Sequence, residues 1–276
     1  MPVITLSTDI GQSDYVVGAI KGQLIKAVPS ASIIDITHQL VANNYLHAAY
    51  VCANAFAFYP ARTFHFVIIN LFEKAPDHLL LAQHKNQYII CPDNGILTMI
   101  AGEKPEQVVS IKITNESASG VLSCTGTFVK ALNAIEAGAD LQSIGTAVTE
   151  IEEKYPFRST VGPDWIDSQI IFIDHFENVV INLTKKEFEE HRKGRKFRIV
   201  LPARNDGGII SISENYASVE QGERLAWFNS AGYLELAINK GNLAGLFGLR
   251  RFSGGITLNS LPSNKLMYER VKIFFE

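Results

Sequence analysis

The sequence predicts a two-part protein: an α/β N-terminal domain with a mainly parallel sheet and flanking helices (residues 1–155), a linker (156–164), and a C-terminal all-β, barrel-like domain (165–276). Three observations predict it. Through the first half, β-rich apolar runs alternate with stretches whose apolar residues recur at helical spacing. From about residue 164, strand candidates follow one another, separated by Gly, Asn and Pro turns. Between them "TEIEEKYPFRSTVGPDW" (149–165) is polar and broken by Pro156, Gly162 and Pro163, as linkers are.

In chain order, "VITLSTD" (3–9) reads as a strand, and "YVVGAIKGQLIKAVP" (15–29) as a helix stopped by Pro29. "SIIDITH" (32–38) is again a strand, and Asn43 and Asn44 form an N-cap region for the apolar helix "YLHAAYVCANAFAFY", which ends before Pro60. Strand signals follow at "TFHFVIIN" (63–70), "HLLLAQHKN" and "QYIICPDN" (87–94), with helices at "GILTMIAGE" and "GTFVKALNAIEAG" (126–138). Strand–helix alternation of this kind implies parallel pairing with helices on both faces. In the second half, "WIDSQIIFIDHFENVVINL", "KFRIVLPA", "GIISIS", "RLAWFNSAGYLELAIN" and "ERVKIFFE" are strand candidates, with one short helix at "KKEFEEHRKG".

The 276 residues are enough for a core without disulfide or metal staples, and 47% of them are hydrophobic against 19% charged. A net charge of −3 gives no electrostatic footprint for nucleic acid or a membrane surface, and the basic run "HRKGRK" (191–196) surrounds a Gly as a solvated turn would. No stretch approaches the roughly 20 apolar residues of a membrane span, and "MPVITLSTD" leads directly into a strand, so a cytoplasmic location is expected. Cys52, Cys91 and Cys124 are odd in number and far apart, which predicts reduced, buried thiols and neither a disulfide framework nor a metal site.

Four polar clusters stand at strand ends or turns of the first half. Asp9 follows the first strand and either holds a sugar diol or caps a helix. Asn70 closes "FHFVIIN", where a parallel sheet meets its ligands, as either turn former or working group. Asp93-Asn94-Gly95 is a turn signal. "SCTGTF" (123–128) offers hydroxyls beside a Gly at a helix start, suited to capping or to a small anion or water. In the second half, period-two spacing puts Asp174, Phe176 and Asn178 on one strand face, either as an exposed hairpin face or as an acid, a ring and an amide around a flat ligand.

Taken together and in order, "STDIG", "KG", "IDITH", "CPDNGIL", "IDHFENVVIN" and "NSAGYLELAINKG" resemble the S-adenosyl-L-methionine (SAM) hydroxide adenosyltransferase family, the SAM hydrolases related to fluorinase and chlorinase. The resemblance implies an α/β domain followed by a β-barrel domain, and a homotrimer that binds SAM between one subunit's N-terminal domain and a neighbour's C-terminal domain. It implies ribose binding by Asp9, methionine ammonium binding by Asp174, packing by Phe176, and adenine contacts from Asn178 and from the backbone around Lys240. Ser230 matches the position that receives the methionine carboxylate. SAM is the substrate, and no cofactor is implied.

The catalytic positions depart from the family. Where hydrolases read "VVDPGVG" followed by an arginine, this chain reads "IINLFEKAPDH", so Asn70 replaces the aspartate and Asp77, or neighbouring His78, the arginine. Where they read "FHGRD" it reads "CTGTF", with Thr125 in the histidine's place, and the aromatic favoured near Asn43 is missing. The expected activity is cleavage of SAM to adenosine and methionine by water at C5′, slowed by the altered triad. The alternatives are a SAM- or adenosine-binding protein without catalysis, and halide transfer. Asn70 and Thr125 are expected to make a neutral nucleophile pocket.

Overall fold

The computed structural model describes residues 1–74, 76–113, 120–201, 207–249 and 270–276. It divides into two compact units, Met1–Pro156 and Phe157–Glu276.

The first unit contains β1 (Val3–Thr8), α1 (Val16–Ala27), β2 (Ser32–Thr37), α2 (Tyr45–Phe56), β3 (Phe64–Ile68), β4 (His78–His84), β5 (Gln87–Pro92), α3 (Ile96–Ala101), β6 (Gln107–Lys112), α4 (Val121–Glu136), α5 (Leu141–Ile144) and β7 (Thr146–Ala147). The strands form one sheet in the order β2-β1-β3-β5-β4-β6-β7. Pairing is parallel from β2 to β5 and antiparallel from β5 to β7, so the sheet is mixed, not mainly parallel as expected. The cause is the two-residue turn Lys85–Asn86, whose φ values of 48° and 62° place both residues in the left-handed region that a tight hairpin between β4 and β5 requires. Lys-Asn lacks the usual Asn-Gly signature, which hid the hairpin.

Helices cover both faces of this sheet, which is why β3 is buried along its whole length. Ile4, Leu6, Phe64, Phe66 and Ile68 pack with Ile20 and Leu24 of α1 and Phe128 and Leu132 of α4. Val67, Leu80 and Ala82 face Cys52 and Phe56 of α2 and Leu97 and Met99 of α3. Asn44 caps α2 by accepting the His47 N–H at 3.0 Å, as its position predicts. Helix α4 begins at Val121 instead of residue 126, so "SCTGTF" lies inside it and is not its cap. Cys124, Phe128, Leu132 and Ile135 recur at helical spacing toward the core, and that apolar face sets the helix start.

The second unit comprises β8 (Thr160–Val161), β9 (Trp165–Ile173), β10 (Val179–Thr184), α6 (Lys185–Arg192), β11 (Phe197–Val200), β12 (Arg224–Phe228), β13 (Tyr233–Ile238), α7 (Leu243–Leu246) and β14 (Arg270–Phe275). It is a curled antiparallel sheet, a half-barrel of order β11-β14-β9-β10-β13-β12 with β8 on β9. "GIISIS" does not form the predicted strand: Ile209 and Ile212 make only isolated bridges to Ile199 and Ala226. The end of "KFRIVLPA", from Pro202, lies outside the described residues. Thr184 and Glu187 form a capping box on α6, and Phe188 of that helix fills the concave core beside Phe197 and Phe275. "HRKGRK" turns at Lys193 and Gly194, while Arg192 and Arg195 lie over Phe197 and Phe275 at 5.1 and 4.8 Å.

All three cysteines are free and buried, and burial pushes the Cys52 thiol up to about 12. Among the described residues no helix is long and apolar enough to cross a membrane.

Candidate functional site

In the first unit the polar residues gather at the carboxyl ends of the parallel strands, where each strand's side chains leave the covered interior. Asp9 follows β1, and its backbone N–H donates to Ile68 O at 3.1 Å. Its Oδ2 accepts the backbone N–H of Asn70 at 2.7 Å. Burial raises the Asp9 carboxyl above the ordinary range, and that N–H opposes the shift by stabilising the charged form.

Asn70, two residues beyond β3, has φ +48°, a left-handed backbone that Asn tolerates better than most residues. Its Nδ2 donates to Glu73 Oε2 at 2.9 Å and to the Tyr45 hydroxyl oxygen at 3.2 Å, and Tyr45 donates its own proton to the same Glu73 oxygen at 2.8 Å. Both amide protons are thereby used, leaving the Asn70 carbonyl oxygen as an acceptor. Burial first, then the hydrogen bond to Glu73 and its charge, push the Tyr45 phenol up to about 12 against the opposing Asn70 hydrogen bond, so it remains a donor at neutral pH.

Asn94 is not merely a turn former. It is buried and donates to Ile69 O at 2.9 Å, tying the β5 corner to the chain just before Asn70. Lys154 donates to Asn94 O at 2.5 Å and lies 4.5 Å from the centre of the Tyr45 ring. Asp77 and His78 pair at 2.5 Å, which lowers the Asp77 carboxyl, and the far nitrogen of His78 stands 3.4 Å from Asp93 Oδ2. A cavity of about 240 Å³ opens here, lined among others by Asn70, Glu73, Asp77, His78, Asp93 and Glu152.

Asn70, Asp77 and Asp9 therefore belong to one neighbourhood, whereas Thr125 does not line that cavity. Its side chain is fully buried in α4, and its hydroxyl donates to Val121 O at 3.2 Å, one helical turn back. The corner at Asn70, expected to be neutral, also holds an acid, because Glu73 accepts an Asn70 amide proton. Glu73, Tyr45 and Lys154 were missed by sequence reasoning. Only Tyr45 left a signal: it is an aromatic residue immediately after the helix cap Asn44.

In the second unit Asp174, Phe176 and Asn178 are held together by the tight turn between β9 and β10, and not by strand pleating as predicted. Asp174 Oδ1 accepts the backbone N–H groups of Phe176 and Asn178 at 2.9 and 2.8 Å, and Glu177 takes φ +64°. An Asp that closes a turn on itself overrides the period-two pattern. Phe176 is 72% exposed, whereas Asn178 is buried. Asn178 Nδ2 donates to Asp174 Oδ2 at 3.0 Å and to the Tyr216 hydroxyl oxygen at 3.1 Å.

Behind them lies buried Glu235 on β13. It accepts the Tyr216 hydroxyl proton through a short contact, the Trp227 indole N–H at 3.1 Å and Asn229 Nδ2 at 3.2 Å. Burial and the Glu235 charge both raise the Tyr216 phenol above its ordinary range. The signal for Glu235 was a lone acid in the middle of the apolar run "YLELAI". Ser230 is exposed in the turn between β12 and β13, and Lys240 is exposed at φ +55° after β13. Among the described residues no group of three or more His, Cys, Asp or Glu side chains is placed to hold a metal ion.

Residues 4–145 match the SAM hydroxide adenosyltransferase N-terminal domain, and residues 168–253 match the C-terminal domain of the same family. A Methanocaldococcus jannaschii protein named (R)-S-adenosyl-L-methionine hydrolase is 28% identical over 248 residues, spanning 86% of this chain and 88% of its own. An Actinoplanes protein named fluorinase is 23% identical, over 90% of this chain and 95% of its own. A crystal structure of a conserved protein from Thermotoga maritima superposes with a TM-score of 0.79 at 21% identity, covering 99% of this chain and 100% of that one. With matches to both domains spanning most of its length, this chain belongs to the SAM hydroxide adenosyltransferase family.

Proposed function

We propose that the protein binds SAM and transfers its adenosyl group to water, giving adenosine and L-methionine. The observation that carries this reading is the hydrogen-bonded corner Asp9–Asn70–Tyr45–Glu73 at the strand ends of the family's N-terminal domain. It joins an acceptor for the ribose hydroxyls to an acceptor pair for a water.

In this reaction the water oxygen bonds to C5′ while the C5′–S bond breaks, and sulfur keeps the electron pair. Methionine leaves as a neutral thioether, so no general acid is needed. The sulfonium loses its charge on the way, so exclusion of bulk water and alignment supply most of the acceleration. The Asn70 carbonyl oxygen orients the water, and the Glu73 carboxylate takes its proton, a contribution of about 10²–10⁴-fold for a positioned base. Tyr45 holds Glu73 in place. Asp77 with His78 stands where the family's arginine would be and forms the cavity's outer wall.

On the second unit the same reading gives Asp174 the methionine ammonium, Phe176 a packing surface, Asn178 and the backbone at Lys240 the adenine, and Ser230 the methionine carboxylate. Assembly as a homotrimer and a cytoplasmic location belong to this reading. In this reading Thr125 takes no part in the chemistry, consistent with its hydroxyl donating to Val121 O one helical turn back.

Incubating the purified protein with SAM and following adenosine and methionine by chromatography tests the proposal. Equimolar products above the spontaneous rate are expected. Absence of product with retained SAM binding would leave a binding protein, and 5′-halogenated adenosine in chloride or fluoride would leave halide transfer.

A further inference from the structure

We infer that His38 is a positioning residue for Asp9: it clamps the chain on both sides of that carboxylate, and the grip of the site on a sugar diol depends on it. The inference rests on the reading above that Asp9 meets the ribose hydroxyls, and it adds the residue that aims Asp9.

His38 follows β2 beside the end of β1, and its side chain is fully buried although it carries two polar nitrogens. Such burial is costly unless the nitrogens find partners. Nδ1 lies 2.9 Å from the hydroxyl of Thr8, which is buried as well. Nε2 stands 3.1 Å from Asp35 Oδ1, out of line for a full hydrogen bond. A bare lone pair there would face a carboxylate that Lys21 holds at 2.5 Å, so the ring proton belongs on Nε2. Nδ1 is then an acceptor, and the Thr8 hydroxyl has to donate to it. With its proton committed, the Thr8 oxygen faces the backbone N–H of Ile10 at 3.4 Å.

Thr8 and Ile10 flank Asp9, and the main chain repeats the clamp. His38 O accepts the N–H of Gly11 at 2.7 Å, and Thr8 O accepts that of Leu40 at 3.0 Å. From the other side, β3 holds the same residue: the Asp9 N–H goes to Ile68 O, and Asp9 Oδ2 accepts the Asn70 N–H. β1 is already paired with β2 as far as Ser7 and with β3 as far as Thr8, so the ties from His38 fix the turn that carries Asp9 and not the strand before it. A carboxylate that must accept from two neighbouring hydroxyls at once needs that fixed aim, since a small rotation of its backbone would forfeit one of them.

Calorimetric binding of adenosine and of 2′,3′-dideoxyadenosine, which lacks the diol, to the full-length protein separates aim from structure. Wild type is expected to bind adenosine at least about tenfold more tightly, the scale of hydrogen bonds to a charged group. His38→Leu is expected to cut that ratio about threefold or more by weakening adenosine alone. His38→Asn, whose side-chain oxygen reaches the place of Nδ1, is expected to keep most of it. A merely structural His38 would weaken both nucleosides alike. An unchanged ratio in a folded His38→Leu, or a loss in His38→Asn as large as in His38→Leu, overturns the inference while the reading of Asp9 stands. Should His38→Leu fail to fold, Thr8→Val removes the hydroxyl at nearly constant volume and is judged by the same ratio. Equal affinities in wild type, or no binding of adenosine, overturn the reading of Asp9 and the inference with it.

Discussion

Asn70 is held from four directions: its backbone N–H by Asp9, its amide protons by Tyr45 and Glu73, and its backbone angle by a left-handed turn. Asn70→Asp, the change to the residue that the resemblance implies there, would exchange a donor for a second carboxylate beside Glu73. We expect it to lower stability by about 1–3 kcal/mol at pH 8. The penalty should vanish in acid, where the carboxyls are protonated, and grow as pH rises through the carboxylate range. Denaturant midpoints of wild type and variant across pH measure this, and it follows that the single change should not raise turnover. Glu73→Gln keeps the shape and removes the base. It is expected to reduce SAM turnover about 10²-fold or more while SAM affinity stays within a few fold, read by single-turnover chromatography and calorimetry. Asp9, Asn70 and Asp174 stand out in the sequence because they follow recognisable strands. Glu73 does not, because its partner Tyr45 is 28 positions away and only the third dimension joins them.

Among the elements, the β4–β5 hairpin turns the sheet from parallel to antiparallel, and it depends on two non-glycine residues at positive φ. Asn86→Val puts a β-branched side chain where it fits poorly and is expected to cost about 1–2 kcal/mol in a thermal or denaturant melt. In the second unit, Thr184→Ala removes the cap of α6, which anchors Phe188 in the core, and about 1 kcal/mol should be lost. The first half read well as elements because apolar periodicity is a local property: α1, α2, β1 and β3 lie within a few residues of their predicted bounds. Pairing direction did not, since Lys85–Asn86 carries no sequence mark of its turn. The start of α4 was displaced because "SCTGTF" looks like a cap, while the core contact of Cys124 that places it within the helix is long-range. Asp174 misled for the converse reason: a turn closed by its own side chain overrode the alternation around it.

For the whole molecule, the acid response should be set partly by His65, buried on β3 and stacked on Phe56 at 3.6 Å. Burial lowers its pKa to about 4, from an ordinary value near 6.5. The folded state therefore binds this proton more weakly than the unfolded chain, so stability is complete above about pH 6.5 and falls as pH drops toward 4, by up to about 3 kcal/mol. Urea midpoints at pH 7 and pH 5 should show the loss, and His65→Phe should flatten it. The family was visible from sequence alone, because it rests on motif order along the chain and needs no knowledge of contacts. The parallel half of the sheet has a further consequence for handling the protein. Asp9, Asn70 and Asn94 leave β1, β3 and β5 at one rim, while the Lys85–Asn86 tip precedes β5 at the opposite rim, about 20 Å away by strand rise. A tether, fluorophore or guest peptide grafted at that tip would leave the rim of Asp9, Asn70 and Asn94 unobstructed, giving a place to immobilise the protein away from those residues.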